Sequence, residues 1–468
     1  MKHRRILTAL GVGLGLAMMT ATPAATAGES DVKLKGIVEK VETDRFVVDS
    51  SWVVLKPGTR FAGKARSVGR IRVGYWAEVT GRWTAKGILQ ADRIETKRDF
   101  PGHTFQENLT SQGFKEAEKI GKSKKAYNNP EAVAYVRNIG NSVVPEWARP
   151  VFKFQFGVIS DPTLNAFALP DGSIFVHTGL LARVENDAQL AAILGHEVAH
   201  VTERHGARGY KKQMTTFLPA MIGAQVVGTV ATEDQSAFVK AATGLGLSLT
   251  LNAAVNGYGR SQEDQADRAG MRYMVEAGYD PNPAPRVWDI FNENYGDQSK
   301  VENFFYGNHS TNAVRKKNQK EEIRRHYADP AAMKISRPVN DEGYQKAMLP
   351  LTRDNAVMDF EAKRYPLAKA GFERVLRHTP GDAISLTYLG RIALASSDQP
   401  GRYPEAEGRF RKAIESNPKY PDAHRELGWL LASQKKSAEA KAELRKYLAL
   451  APADAPDRKE VTSEIAKL

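Results

Sequence analysis

The chain has 468 residues, room for two or three domains with cores of their own. Hydrophobic residues make up 42% and charged residues 26%, which excludes a disordered chain and a polytopic membrane protein. Lys plus Arg outnumber Asp plus Glu by 67 to 54, a net charge of +13, and cysteine is absent. Disulfides, thiolate metal sites and a cysteine nucleophile are therefore excluded, and any metal must be held by His, Asp or Glu.

Residues 1–27 read as a secretory signal. Lys2, His3, Arg4 and Arg5 precede an apolar run from Ile6 to Met19, and Ala25-Thr26-Ala27 offers a small-residue cleavage site before Gly28. The run is too short for an ordinary spanning helix. The expected product is an exported or periplasmic protein, soluble after cleavage at about Ala27/Gly28. Its basic balance suits an anionic envelope surface, with peripheral membrane contact, better than nucleic acid.

Residues 28–100 alternate like short strands: Val32, Leu34, Phe46-Val47-Val48, Trp52-Val53-Val54-Leu55, Trp76 and Val79, punctuated by Pro57-Gly58, Gly69, Gly74, Gly81 and Gly87. The expectation is a small all-β, OB-like barrel. It carries no clustered stacking aromatics, so a spacer or docking domain is the simpler role, with a cell-wall or polysaccharide-binding module led by the barrel as a third class of reading for the protein.

Residues 101–340 mix periods and carry the chemistry. Asn129-Pro130-Glu131 opens a helix through Val143, Phe152 to Val158 reads as a strand, and Asn165 to Val176 reads as a hairpin around Pro170-Asp171-Gly172. Asn186 caps a helix whose apolar stripe is Leu190, Ile193, Leu194, Val198 and Val201. On an adjacent face stand His196, Glu197 and His200. Histidines at i and i+4 lie one turn apart and can reach one ion, and the intervening Glu can take a proton from an attacking water.

A catalytic zinc needs a third protein ligand. A His at position 206 would complete one known arrangement, but Gly206 stands there. Glu203 is seven residues from His196, roughly 10 Å along a helix, too far to share one ion at bond distance. The remaining candidate is Glu263, in Ser261-Gln262-Glu263-Asp264-Gln265-Ala266-Asp267, where Ser261 can cap a helix running to about Ala277. Glu263 and Asp267 share a face, so one can bind metal while the other holds a ligand histidine; on spacing alone, the same pair also reads as a solvated helix face.

Residues 341–468 repeat. Ala368, Phe372 and Pro380 recur as Ala406, Phe410 and Pro418, then as Ala440, Leu444 and Pro452; Leu389-Gly390 recurs as Leu427-Gly428. This is the tetratricopeptide period, which predicts stacked helix pairs with a protein-docking groove. Apolar runs from Phe217 to Val230 and Ala241 to Ala254 read as core helices or as a membrane-facing flap.

Asn165-Ala166-Phe167-Ala168-Leu169-Pro170, Gly179-Leu180-Leu181, Leu194-Gly195-His196-Glu197-Val198-Ala199-His200 and the Glu263/Asp267 pair resemble the HtpX/BepA peptidase family. The resemblance covers about residues 104–320 strongly and 350–460 in architecture; residues 31–98 lie outside it. It implies an α+β zincin-type (gluzincin) domain followed by an all-α tetratricopeptide superhelix. It also implies one Zn²⁺ per chain on His196, His200 and Glu263, with Glu197 as general base and Asp267 behind the ligands. His309, with Arg315 six residues on, matches a family histidine that can take the fourth zinc position and hold the enzyme latent. Ser310 replaces the usual proline there. Arg315 is expected to assist the oxyanion or to orient Asp267.

The expectation is a zinc endopeptidase of the envelope acting on unfolded or assembling proteins docked on the repeats, with an extended substrate pairing with the sheet edge near Ser173 to Val176. The alternative is a chaperone or assembly factor with a latched zinc site.

Overall fold

The computed structural model describes residues 32–84, 88–98, 103–209, 258–295, 312–329, 333–396 and 401–468. The signal segment, His309 and the apolar runs at 217–230 and 241–254 lie outside the described residues. Among the described residues, no helix is long and apolar enough to cross a membrane.

Five strands, β1 (Val32–Val41), β2 (Arg45–Val48), β3 (Ser51–Gly63), β4 (Trp76–Trp83) and β5 (Leu89–Lys97), close into a barrel in the order β1-β2-β3-β5-β4. Alternate residues point inward, so Leu34, Val38, Phe46, Val48, Val53, Val79, Leu89 and Ile94 fill it. Closure leaves no free sheet edge.

The α+β domain begins with α1 (His103–Gly121) and α2 (Pro130–Val143). The Asn129 side chain caps α2 by accepting from the Ala132 N–H at 3.0 Å, and Pro130 fits the first turn, where no N–H partner is needed. Val136, Ile139 and Val143 face the core. Strands β6 (Gln155–Ile159), β7 (Ala166–Ala168) and β8 (Ser173–His177) form a sheet ordered β6-β8-β7. β6 starts at Gln155, later than the expected Phe152. Gly172, at φ +102°, makes the β7–β8 turn.

A short α3 (Thr178–Leu181) leads to α4 (Asp187–Thr202), capped by Asn186, whose side chain accepts from Gln189 N–H at 3.0 Å. Of the residues of α4 only Ala192 is not buried, so the expected one-sided stripe is instead a helix enclosed on all sides. α5 (Arg260–Glu276) packs across it. Gly259, not Ser261, occupies the cap position, two residues earlier than expected, because α5 already has helical geometry at Arg260. α6 (Arg286–Tyr295) and α7 (Asn312–His326) complete this domain.

The C-terminal region is helical: α8 (Asp341–Glu361), α9 (Tyr365–His378), α10 (Ala383–Ser396), α11 (Arg402–Ser416), α12 (Pro421–Ser433), α13 (Ser437–Leu450) and α14 (Arg458–Lys467). The recurring Ala368, Phe372, Ala406, Phe410, Ala440 and Leu444 are all fully buried. A β-carbon on Gly390 would lie 2.4 Å from the Phe410 ring, and one on Gly428 would lie 2.6 Å from Leu444, so the repeated Leu-Gly marks where paired helices touch. Gly390→Val is expected to cost about 1–3 kcal/mol of stability in denaturant unfolding, because the ring cannot retreat in a packed core; an unchanged midpoint would contradict this packing. α8 serves two cores: Tyr344, Met348 and Leu351 join the α+β domain, and Ala356 joins the first repeat.

Candidate metal centre

α4 and α5 meet at two glycines. A β-carbon on Gly195 would lie 2.6 Å from the Gly270 carbonyl oxygen, and one on Gly270 would lie 2.5 Å from the His196 nitrogen. Without side chains there, the helices approach closely enough for Glu263 and Asp267, on the facing side of α5, to reach the histidines of α4.

The result is a convergent donor set. The Nε2 atoms of His196 and His200 are 2.9 Å apart, and the Glu263 carboxylate lies 3.4 Å and 3.7 Å from them. Among the described residues, these three form the group able to hold a metal, with ligand atoms within 4.8 Å of one another. All three are buried.

Both histidines are anchored by their other nitrogen. His196 Nδ1 lies 2.9 Å from Asp267 Oδ1, and His200 Nδ1 lies 2.8 Å from His205 Nδ1. With a partner outside Nδ1, each ring can present Nε2 inward, the arrangement that a His₂Glu zinc site needs. Tyr258 stacks on His200 with centroids 4.4 Å apart, and its N–H donates to Glu263 Oε1 at 2.9 Å.

Arg315, 1% exposed, donates to Asp267 at 2.9 and 2.6 Å and lies 3.2 Å from Glu263, with its guanidinium 4.1 Å from the Trp288 ring centroid. Of the two roles expected for it, the geometry places it on Asp267. Burial alone would raise both carboxyls, but Arg315 and His196 hold Glu263 and Asp267 well below the usual carboxylate range. Burial works against a charged His196, yet the hydrogen bonds to Asp267 and Glu263 carry it up to about 9. Positive charge is thus favoured where the donors converge.

Glu197 lines a small cavity of about 30 Å³ with His196, Asp267, Ile193, Val287, Trp288 and Phe291. Its carboxylate has no hydrogen-bond partner among the described residues. Burial pushes it up to about 7, with Glu263 adding to the effect and His196 opposing it. Glu203 turns away from the site and accepts from Gln265 Nε2 at 2.8 Å.

His205 and Gln265 are the residues that sequence reasoning missed. On a straight helix His205 would point about 140° away from His200. Arg204, at φ +58°, breaks the helix and swings His205 back. Only the His205 side chain itself, close after the motif, gave a signal.

Residues 130–337 match the model of Peptidase family M48, and residues 398–455 match a Tetratricopeptide repeat. A beta-barrel assembly-enhancing protease of Yersinia pestis is 30% identical over 175 residues, 37% of this chain and 34% of that protein. The one from Escherichia coli K12 is 30% identical over 158 residues, 34% of this chain and 32% of that protein. A mitochondrial metalloendopeptidase of Arabidopsis thaliana is 35% identical over 140 residues, 30% of this chain and 26% of that protein. The chain spans about a quarter to a third of the length of these curated relatives.

Proposed function

We propose that this chain, which carries a peptidase family M48 domain joined to tetratricopeptide repeats, is a zinc endopeptidase of the cell envelope acting on unfolded or misassembled proteins. The observation that carries the reading is the convergence of two Nε2 atoms 2.9 Å apart beside the Glu263 carboxylate, with both Nδ1 atoms bonded outward. His196, His200 and Glu263 would hold the ion. When bound, zinc supplies Lewis acidity that polarises a scissile carbonyl and acidifies water. Glu197 accepts the proton of the attacking water and delivers it to the leaving amine. Asp267, clamped by Arg315, keeps the His196 ring in register.

The substrate strand requires a correction. Addition at Ser173 to Val176 is excluded, because β8 is the central strand, paired with β6 on one side and β7 on the other. β7 is the edge. His177 N–H donates to Asn165 O and Leu169 N–H donates to Ser173 O, so the backbone groups of Ala166 and Ala168 point away from β8. An extended peptide would pair there, gaining main-chain hydrogen bonds regardless of its sequence. The repeats would hold the client, and the leader at 1–27 would deliver the protein to the envelope.

The closed setting of the site favours a second reading. The cavity beside Glu197 is about 30 Å³, room for one or two waters and not for a peptide, so the resting protein can act as a chaperone until the site opens. His309 is proposed to hold that latent state.

The test is metal analysis of the purified protein together with cleavage of an unfolded protein such as casein. About one zinc per chain is expected, with cleavage abolished by a chelator and restored by Zn²⁺. His196→Ala and Glu263→Gln are each expected to bind zinc at least 10-fold more weakly. Zinc bound without cleavage, alongside intact client binding, moves the reading to a chaperone; no zinc binding at all removes it.

A further inference from the structure

The barrel packs against the back of the metal centre, and the contact is built. Asp49 accepts from Arg268 of α5 at 2.8 Å, and Glu39, fully buried, pairs with Arg272 of the same helix. Ile37 and Trp76 form an apolar cluster with Leu109 and Ala207, and Arg208 lies 4.8 Å from the Trp76 ring centroid. At the centre of this contact is Gly36. A β-carbon there would lie 3.3 Å from the Gln265 side-chain nitrogen and 3.1 Å from the Asp49 nitrogen. Strand β1 thus lies directly on Gln265.

Gln265 is one link of a buried chain. His200 Nδ1 lies 2.8 Å from His205 Nδ1, His205 Nε2 lies 3.0 Å from Gln265 Oε1, and Gln265 Nε2 donates to Glu203 Oε2 at 2.8 Å. Arg208 donates to Gln265 Oε1 at 2.9 Å and to the Glu203 carbonyl at 3.1 Å. The protons can run in one direction only if His200 is to keep Nε2 free for an ion. His200 Nδ1–H donates to His205 Nδ1, His205 Nε2–H donates to the Gln265 carbonyl oxygen, and the Gln265 amide donates to Glu203. His205, Gln265 and Glu203 are each buried.

Building on the zinc reading above, we propose that His205 is a positioning residue that sets the tautomer and ring orientation of His200, and that barrel strand β1 seals the far end of this relay at Gln265. The barrel is then part of the metal centre's support. Partners of this kind, behind a ligand, are worth about 10–100-fold in metal affinity.

The experiment measures Zn²⁺ affinity of the full-length protein by competition with a chromophoric chelator, and the visible absorption of the Co²⁺-loaded form, in a Glu197→Gln background that removes self-cleavage. His205→Phe keeps the ring volume and removes the acceptor; at least a 10-fold weaker Zn²⁺ affinity and an altered Co²⁺ spectrum are expected. In His205→Asn, Oδ1 replaces the acceptor at the Nδ1 position while the donor to Gln265 is lost, and affinity is expected to recover to about 3- to 10-fold below the parent, between the parent and His205→Phe. Gly36→Leu, which leaves every link of the relay in place but forces β1 off Gln265, is expected to weaken binding about 3- to 10-fold. Equal affinity in His205→Phe and the parent overturns the role of His205, as does equal weakening in the Phe and Asn variants. Unchanged affinity in Gly36→Leu overturns the role of the barrel. Should His205→Phe not fold, His205→Asn and Gly36→Leu decide. A parent that binds no zinc overturns the zinc reading itself and this proposal with it; a parent that binds while the variants match it overturns the proposal alone.

Discussion

Glu197→Gln is expected to abolish cleavage of an unfolded substrate, lowering kcat by about 10²–10⁴-fold, while leaving zinc content unchanged. The amide keeps the shape of the side chain but cannot accept a proton from water. No hydrogen bond to a described residue is lost, because the Glu197 carboxylate has none among them. Burial has already pushed that carboxyl up to about 7, so ionising it inside the protein is costly. Replacing it with a neutral group is therefore expected to leave the melting temperature equal or higher. Loss of activity at undiminished stability separates a proton-transfer role from a scaffolding one. Cleavage at the parent rate would remove Glu197 from the chemistry, and a fall in zinc content would make it a ligand instead.

Arg315→Met is expected to destabilise the protein by about 3–5 kcal/mol, the cost of removing one partner from a buried ion pair. Arg315 is almost completely enclosed and offsets two carboxylates at once, Asp267 by two hydrogen bonds and Glu263 at 3.2 Å. The loss should be larger in chelator-treated protein than in zinc-loaded protein, since a bound cation compensates Glu263 and Asp267 in its place. Thermal melts with and without chelator measure this difference. Arg315→Lys is expected to recover only part of the loss, because a single ammonium cannot form the two-pronged contact with Asp267. A melting temperature unaffected in both metal states would mean that the carboxylates find another partner.

Much of the ligand chemistry was legible in the residues. The absence of cysteine left His, Asp and Glu as the available donors, and helical spacing put His196 and His200 on one face and Glu263 and Asp267 on another. The barrel was legible because small β-domains alternate residue by residue. The repeats were legible because each Leu-Gly and each Ala-Phe or Ala-Leu pair returns where helices must touch. The cap of α5 was misplaced by the ordinary preference for Ser over Gly at that position, whereas the helix already starts at Arg260. The substrate edge was misplaced because alternation reveals a strand and not its neighbours; β8 is sandwiched between β6 and β7, both earlier in the chain.

The sequence by itself determined which side chains are competent to bind a divalent cation and which segments are helix, strand or repeat, since these depend on residue type and on spacing within one element. Tertiary structure alone decided that the two helices carrying the donors come together, because that rests on Gly195 and Gly270 meeting without side chains between them. It alone turned His205 back onto His200, through a left-handed residue at Arg204 that no helical periodicity announces. And it alone laid the barrel against Gln265, since complementarity between two surfaces is a property of their folded shapes and leaves no period in the chain.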